Sequence, residues 1–183
     1  MQISRLKNHF LYWIDRFDHI LGEEEFQDIA LYSFVNVNDV ENKTLINAYL
    51  LEEQKLVNFV FSVINRHDCN LAQSRLRYSR QSTCSNSVKH LFNQEQIEIL
   101  ENTADREYEQ EIILDSEQQL RNFLQLGIRE LLKIKVKIAE AYVEIGFDMS
   151  LTVQNILEAE LVELVQDAGL YILRKWEQPM WDY

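Results

Sequence analysis

Apolar residues return every three or four positions along most of this chain, the spacing that gathers them on one side of a helix. From Ile3 to Leu21 the set is Ile3, Leu6, Phe10, Ile14, Phe17 and Leu21, and Gly22 stands where a C-terminal cap would close a first helix. Glu23, Glu24 and Glu25 complement the positive end of a second, shorter helix expected to run to Phe34. Leu45, Ile46, Tyr49, Leu50, Leu56, Val57, Val60, Val63 and Ile64 predict a third helix ending near Arg66. From about 68 to 87 the pattern vanishes into Ser, Asn, Gln and Arg, which reads as one long flexible loop.

Beyond it, a thin stripe of Ile97, Leu100, Ala104, Tyr108 and Ile112 among many acids predicts a mostly solvated helix over 94–114. Ser116 and Gln119 have capping-box form and open the longest expected element, a helix from Ser116 to Ile145 with Gly146 as its stop. Lys133, Lys135 and Lys137 alternate with apolar residues between Leu132 and Ile138, which is the period of a strand. The stripe Leu120, Leu124, Leu131, Ile134, Ile138, Tyr142 and Ile145 nevertheless runs unbroken through that segment, and Lys137 and Glu140 are spaced to pair on a helix surface, so helix is preferred. A last helix is expected from Leu151 to Trp176, with Pro179 preventing its continuation.

The fold class expected is therefore all-α: one domain over 1–183, a bundle of five or six helices. Its long helix is central because it is apolar on more than one side, and Gly127 within it could mark a close helix crossing. Four glycines and one proline leave few of the residues that punctuate hairpins and tight turns, which favours long helices further.

Composition then narrows the function. Two cysteines are too few for a disulfide scaffold, charges at Arg5, Lys7 and Asp15 interrupt any signal-type segment, and no apolar run reaches the roughly 18 to 20 residues of a membrane span. A cytoplasmic address without membrane insertion is the expectation. The formal charge of −12 argues against direct nucleic-acid binding, which needs concentrated Lys and Arg, and favours another protein with a basic or apolar surface. A homo-oligomer is the other state left open.

Candidate chemistry is sparse. Glu53 falls inside the apolar arc of the third helix, Glu160 lies at the margin of the last, and Lys135 interrupts that of the long helix. A charge buried there must be paired, hydrogen-bonded or functional. His67, Cys69, Cys84 and His90 supply the two sulfurs and two imidazoles of a tetrahedral zinc shell, although His-x-Cys is not a usual chelating spacing. No cofactor other than this zinc is suggested. Arg75, Arg77 and Arg80 belong to the basic stretch around the loop, and the acidic stretch 93–120 follows, so the loop reads as a solvated segment beside a solvated helix, as docking onto that helix, or as a contact for a partner or a phosphate-bearing ligand. Trp176, Trp181 and Tyr183 make an aromatic C-terminus that either anchors a partner or folds back on the bundle.

No Glu-x-x-His pair, Gly-rich phosphate loop or nucleophile signature occurs. The expected function is a non-enzymatic interaction module, an adaptor, complex subunit or inhibitor presenting acidic helical surfaces. The alternative is a helical ligand- or metal-binding sensor or enzyme that uses buried carboxylates or the Cys/His loop.

Overall fold

The computed structural model describes residues 10–28, 43–67, 71, 74–81, 90–103, 109–146 and 148–177. Among them run, in chain order, β1 (Phe10–Asp15), α1 (Glu23–Asp28), α2 (Lys43–Arg66), β2 (Arg75–Arg80), α3 (Gln94–Thr103) and β3 (Gln110–Ile113). The remainder are α4 (Glu117–Ile128), β4 (Leu132–Ile138), β5 (Ala141–Ile145), β6 (Leu151–Gln154), α5 (Glu158–Asp167) and β7 (Tyr171–Glu177). The strands form one antiparallel sheet in the order β3-β2-β4-β5-β6-β1-β7. The fold is thus α+β, and the all-α bundle does not form.

Alternation explains the sheet's two faces. One register row crosses it through Ile112, Leu76, Val136, Val143, Val153 and Tyr12, and the last five of these are fully buried. Helices cover that inner face: α4 packs on β4 and β5, α5 on β7, and α2 and α3 on α4. Tyr78 of β2 meets Phe123 of α4 with ring centroids 4.8 Å apart. Gly127 permits the closest approach of α4, because a Cβ there would stand 2.7 Å from Cγ1 of Ile134 and 3.2 Å from Cγ1 of Ile145. Its close contact is with the sheet, where a helix crossing was expected.

The long helix expected over 116–145 is three elements. α4 starts at the expected cap, with Gln119 N–H donating to Ser116 Oγ (3.1 Å), while the Gln119 side chain reaches one residue beyond the capping-box position and accepts from Asp115 N–H (2.9 Å). It stops at Ile128, the chain turns through Glu130 at φ 60°, and β4 and β5 form a hairpin about Ala139 at φ 51°. Strand beats helix at Leu132–Ile138 because alternation buries Leu132, Ile134, Val136 and Ile138 together and turns all three lysines away. A helix would have wrapped the same residues around its whole circumference and forced lysines into the core. The supposed Lys137–Glu140 pair is likewise replaced: Lys137 lies over the Tyr142 ring, 5.6 Å from its centroid.

The first expected helix contains β1, whose Phe-Leu-Tyr-Trp-Ile-Asp run is aromatic and β-branched, and residues 3–9 of that expectation lie outside the described residues. The last expected helix divides into β6, α5 and β7, with Gly169 at φ 66° closing α5. The expected 68–87 loop holds β2, an interior strand between β3 and β4, while 68–70, 72–73 and 82–89 lie outside the described residues. The solvated helix of 94–114 is α3 followed by β3, with 104–108 outside. The third helix forms over Lys43–Arg66, and the second over Glu23–Asp28, with 29–42 outside. No described helix is long and apolar enough to cross a membrane.

Candidate functional site

The outer face of the sheet carries side chains of a different kind. One register row reads Ile113, Arg75, Lys137, Tyr142, Gln154, Leu11 and Trp176, and the next Glu111, Arg77, Lys135, Glu144, Thr152, Trp13 and Arg174. All of these are exposed or half-buried. With Lys133 they make six cations against Glu111 and Glu144, a surplus of four positive charges on a chain whose net charge is −12. At strand spacings of about 4.8 Å the face is roughly 30 Å wide.

Its two ends differ. Toward β3, β2 and β4 the cations are held by carboxylates: Glu111 accepts from Arg75 Nη1 (2.8 Å) and Arg77 Nε (2.9 Å). Glu144 lies 3.4 Å from Lys135 Nζ and 3.8 Å from Lys133 Nζ. The Arg77 and Arg75 guanidiniums hold the Glu111 carboxyl below the usual range. Toward β1 and β7 the face is aromatic. Trp13 and Trp176 stack at 6.4 Å with 15° between planes, and the Arg174 guanidinium lies 5.8 Å from the Trp13 ring. Exposed Tyr171 extends this end.

A second constellation lies within the helical layer. Glu53 of α2 and Arg129, just after α4, are 2% and 3% exposed, with Arg129 Nε 2.6 Å from Glu53 Oε2 and Nη2 2.9 Å from Oε1. Gln125 Nε2 donates to Glu53 Oε1 (3.1 Å), Gln96 Nε2 to Gln125 Oε1 (2.8 Å), and Arg129 Nη1 to the Leu91 carbonyl (3.1 Å). Asn122 bridges the same helices, donating to Glu95 Oε2 and accepting from Asn93 and Gln118. Asn93 also caps α3 reciprocally with Gln96: Gln96 N–H donates to Asn93 Oδ1 (2.8 Å) and Asn93 N–H to Gln96 Oε1 (3.1 Å). The Glu53 carboxylate thus spends its acceptors on side chains that fasten α2, α3 and α4 together, which is a structural use of buried charge.

At one end of the sheet Asp15, Arg16, Glu130 and Asp148 converge. Burial raises the Asp15 carboxyl above its ordinary range, opposed by N–H donation from Phe17 (3.2 Å) and Arg16 (2.7 Å). Burial likewise raises Glu130, which accepts from Asp148 N–H (3.1 Å). Glu130, Asp148 and Met149 all have φ near 60°. A cleft of about 500 Å³ between α2, α4 and α5 is lined by Lys55, Asn58, Phe61, Ser62, Asn65, Glu117, Arg121, Asp167 and Ala168. Its two cations and two carboxylates balance, so it favours no charged ligand.

The residues singled out from sequence are dispersed. Arg75 and Arg77 join Lys135 and Trp176 on the outer face, whereas Arg80 is half-buried at a register position on the inner side. Glu160 is 4.0 Å from Nε2 of His67, which is nine-tenths buried at the end of α2. His90 stands in the turn before α3, and Cys69, Cys84, Trp181 and Tyr183 lie outside the described residues. Among the described residues no group of three or more His, Cys, Asp or Glu side chains is placed to hold a metal ion. Sequence reading missed Trp13, Lys133, Lys137, Tyr142 and Arg174, which only strand register unites. The alternating lysines were the available signal.

Compared with family models, curated proteins and solved structures, the chain matches none.

Proposed function

We propose that the protein is a non-enzymatic interaction module, an adaptor, complex subunit or inhibitor, whose working surface is the outer face of the sheet. The observation that carries this reading is the contrast between the two faces. The inner one is closed by helices, whereas the outer one presents cations and aromatic rings from β2, β4, β5, β1 and β7. Arg, Trp and Tyr are the residue types that supply most energy at protein interfaces, Trp and Tyr through large area at little entropic cost and Arg through its planar fork of charged donors. Exposed Glu23 and Glu24 of α1 and Glu158 and Glu163 of α5 add acidic surface suited to a partner's basic patch.

The test is recovery of the tagged full-length chain at its natural expression level, followed by native mass spectrometry. A stoichiometric second polypeptide, lost when Lys135 and Arg77 are both replaced by Glu, is the expected result. A stoichiometric metal or small molecule with no polypeptide would overturn the reading in favour of a ligand-binding sensor or enzyme.

A further inference from the structure

We propose that the outer sheet face receives an acidic segment of a protein partner that also carries aromatic or aliphatic anchors. This rests on the interaction reading above and adds the chemistry of the partner. Charge complementarity gives the first half of the argument: the β2–β4 end holds Arg75, Arg77, Lys133, Lys135 and Lys137, whose positive surplus is localised on an otherwise acidic molecule. Four of them, Arg75, Arg77, Lys133 and Lys135, are parked against Glu111 and Glu144 at the surface, where an ion pair is weak and exchanges readily. Incoming carboxylates can take over the same Lys and Arg donors without leaving a buried charge behind.

The aromatic end supplies the second half and separates a peptide from a single nucleic-acid strand. Base stacking needs open ring faces. Trp13 is covered by Trp176 on the stack and approached by the Arg174 guanidinium, while the Tyr142 ring is capped by Lys137. Half-buried Leu11 pairs with Trp176 across β1 and β7, so the stack is flanked by aliphatic surface that suits Leu, Phe or Trp side chains. A phosphate chain would also run against Glu111 and Glu144, since it brings a negative charge at every unit. An acidic peptide can place carboxylates beside the cations and apolar groups beside the tryptophans, the order in which the face presents them.

The experiment is selection of a random peptide library displayed on phage against the purified full-length chain, with the peptides recovered then synthesised and their affinities measured. Expected are peptides of net negative charge containing Trp, Phe or Leu, with binding that weakens as salt rises. Their affinity should fall about tenfold or more for the Arg77→Glu/Lys135→Glu variant. The milder Arg77→Ala/Lys137→Ala pair should weaken binding in the same direction, and Trp13→Ala should weaken it at constant charge; circular dichroism checks that each variant is folded. Selected peptides without acidic bias, peptides indifferent to these substitutions, or no enrichment would overturn the proposal. So would a poly(dT) oligonucleotide that binds more tightly through the same residues, or self-association that occupies the face. A partner found on the helical side would refute this assignment and the assignment of the working surface alike. A partner on the sheet face lacking acidic character would refute this one alone.

Discussion

Two carboxylates, each held by arginine, behave differently because one is inside the molecule and the other outside. Glu53 is 2% exposed and its Arg129 partner 3%, with Gln125, Gln96 and Asn122 completing a network between three helices. Glu111 lies on the solvent side of an edge strand, and its Arg75 and Arg77 partners are 60% and 44% exposed. The buried pair cannot be opened without stranding a charge in apolar surroundings, so it fixes how the helices dock. The surface pair competes with water at every moment, so its members are available to another molecule.

The largest effect should come from breaking the inner pair. Arg129→Met leaves Glu53 buried and uncompensated and should cost about 3–5 kcal/mol in urea denaturation, whereas adding Glu53→Met should recover much of the loss. If the double variant were as unstable as the single one, the cost would lie in packing and not in charge. Next, Gly127→Val would drive a side chain into Ile134 at the α4–sheet contact and should cost about 1–3 kcal/mol. Ser116→Ala removes the α4 cap and should cost about 1 kcal/mol.

On the outer face the comparison predicts almost nothing for stability. Arg77→Ala should leave the urea midpoint close to that of the parent while weakening partner binding, and a large loss of stability would refute the division of roles. A further effect concerns pH. Burial raises Asp15 in the folded state, so the folded protein binds that proton more tightly than the unfolded chain does. This group's contribution is most favourable below its unfolded value and declines as pH rises through its folded one. Asp15→Asn should therefore raise the melting temperature at neutral pH, and the gap should narrow as the solution is acidified into the carboxylate range.

The parts of this architecture that could be read from residues are those decided locally. The Ser116 cap, the α2 stripe ending at Arg66, and the position of Glu53 within that stripe all follow from contacts within a few residues along the chain. The sheet did not, for a reason visible in its turns. Few glycines argued against hairpins, yet Glu130, Ala139, Asp148, Met149 and Asn155 adopt the left-handed conformation themselves, at a cost met by the surrounding sheet. Without Asn-Gly or Gly at the corners, the β4–β5 hairpin carried no turn signal. Apolar positions spaced by four, such as Ile134 and Ile138, are shared by a helix face and a strand face, and only the lysines between them distinguished the two. The candidate surface was less legible still, because Trp13, Arg77, Lys135 and Arg174 become neighbours only through strand pairing.

The most direct test of which face works is lysine acetylation footprinting of the protein in complex with the partner it is recovered with. Lys133, Lys135 and Lys137 should be protected relative to the isolated chain, while Lys55 on α2 should react at an unchanged rate. Protection of Lys55 with the three β4 lysines still reactive would contradict the account.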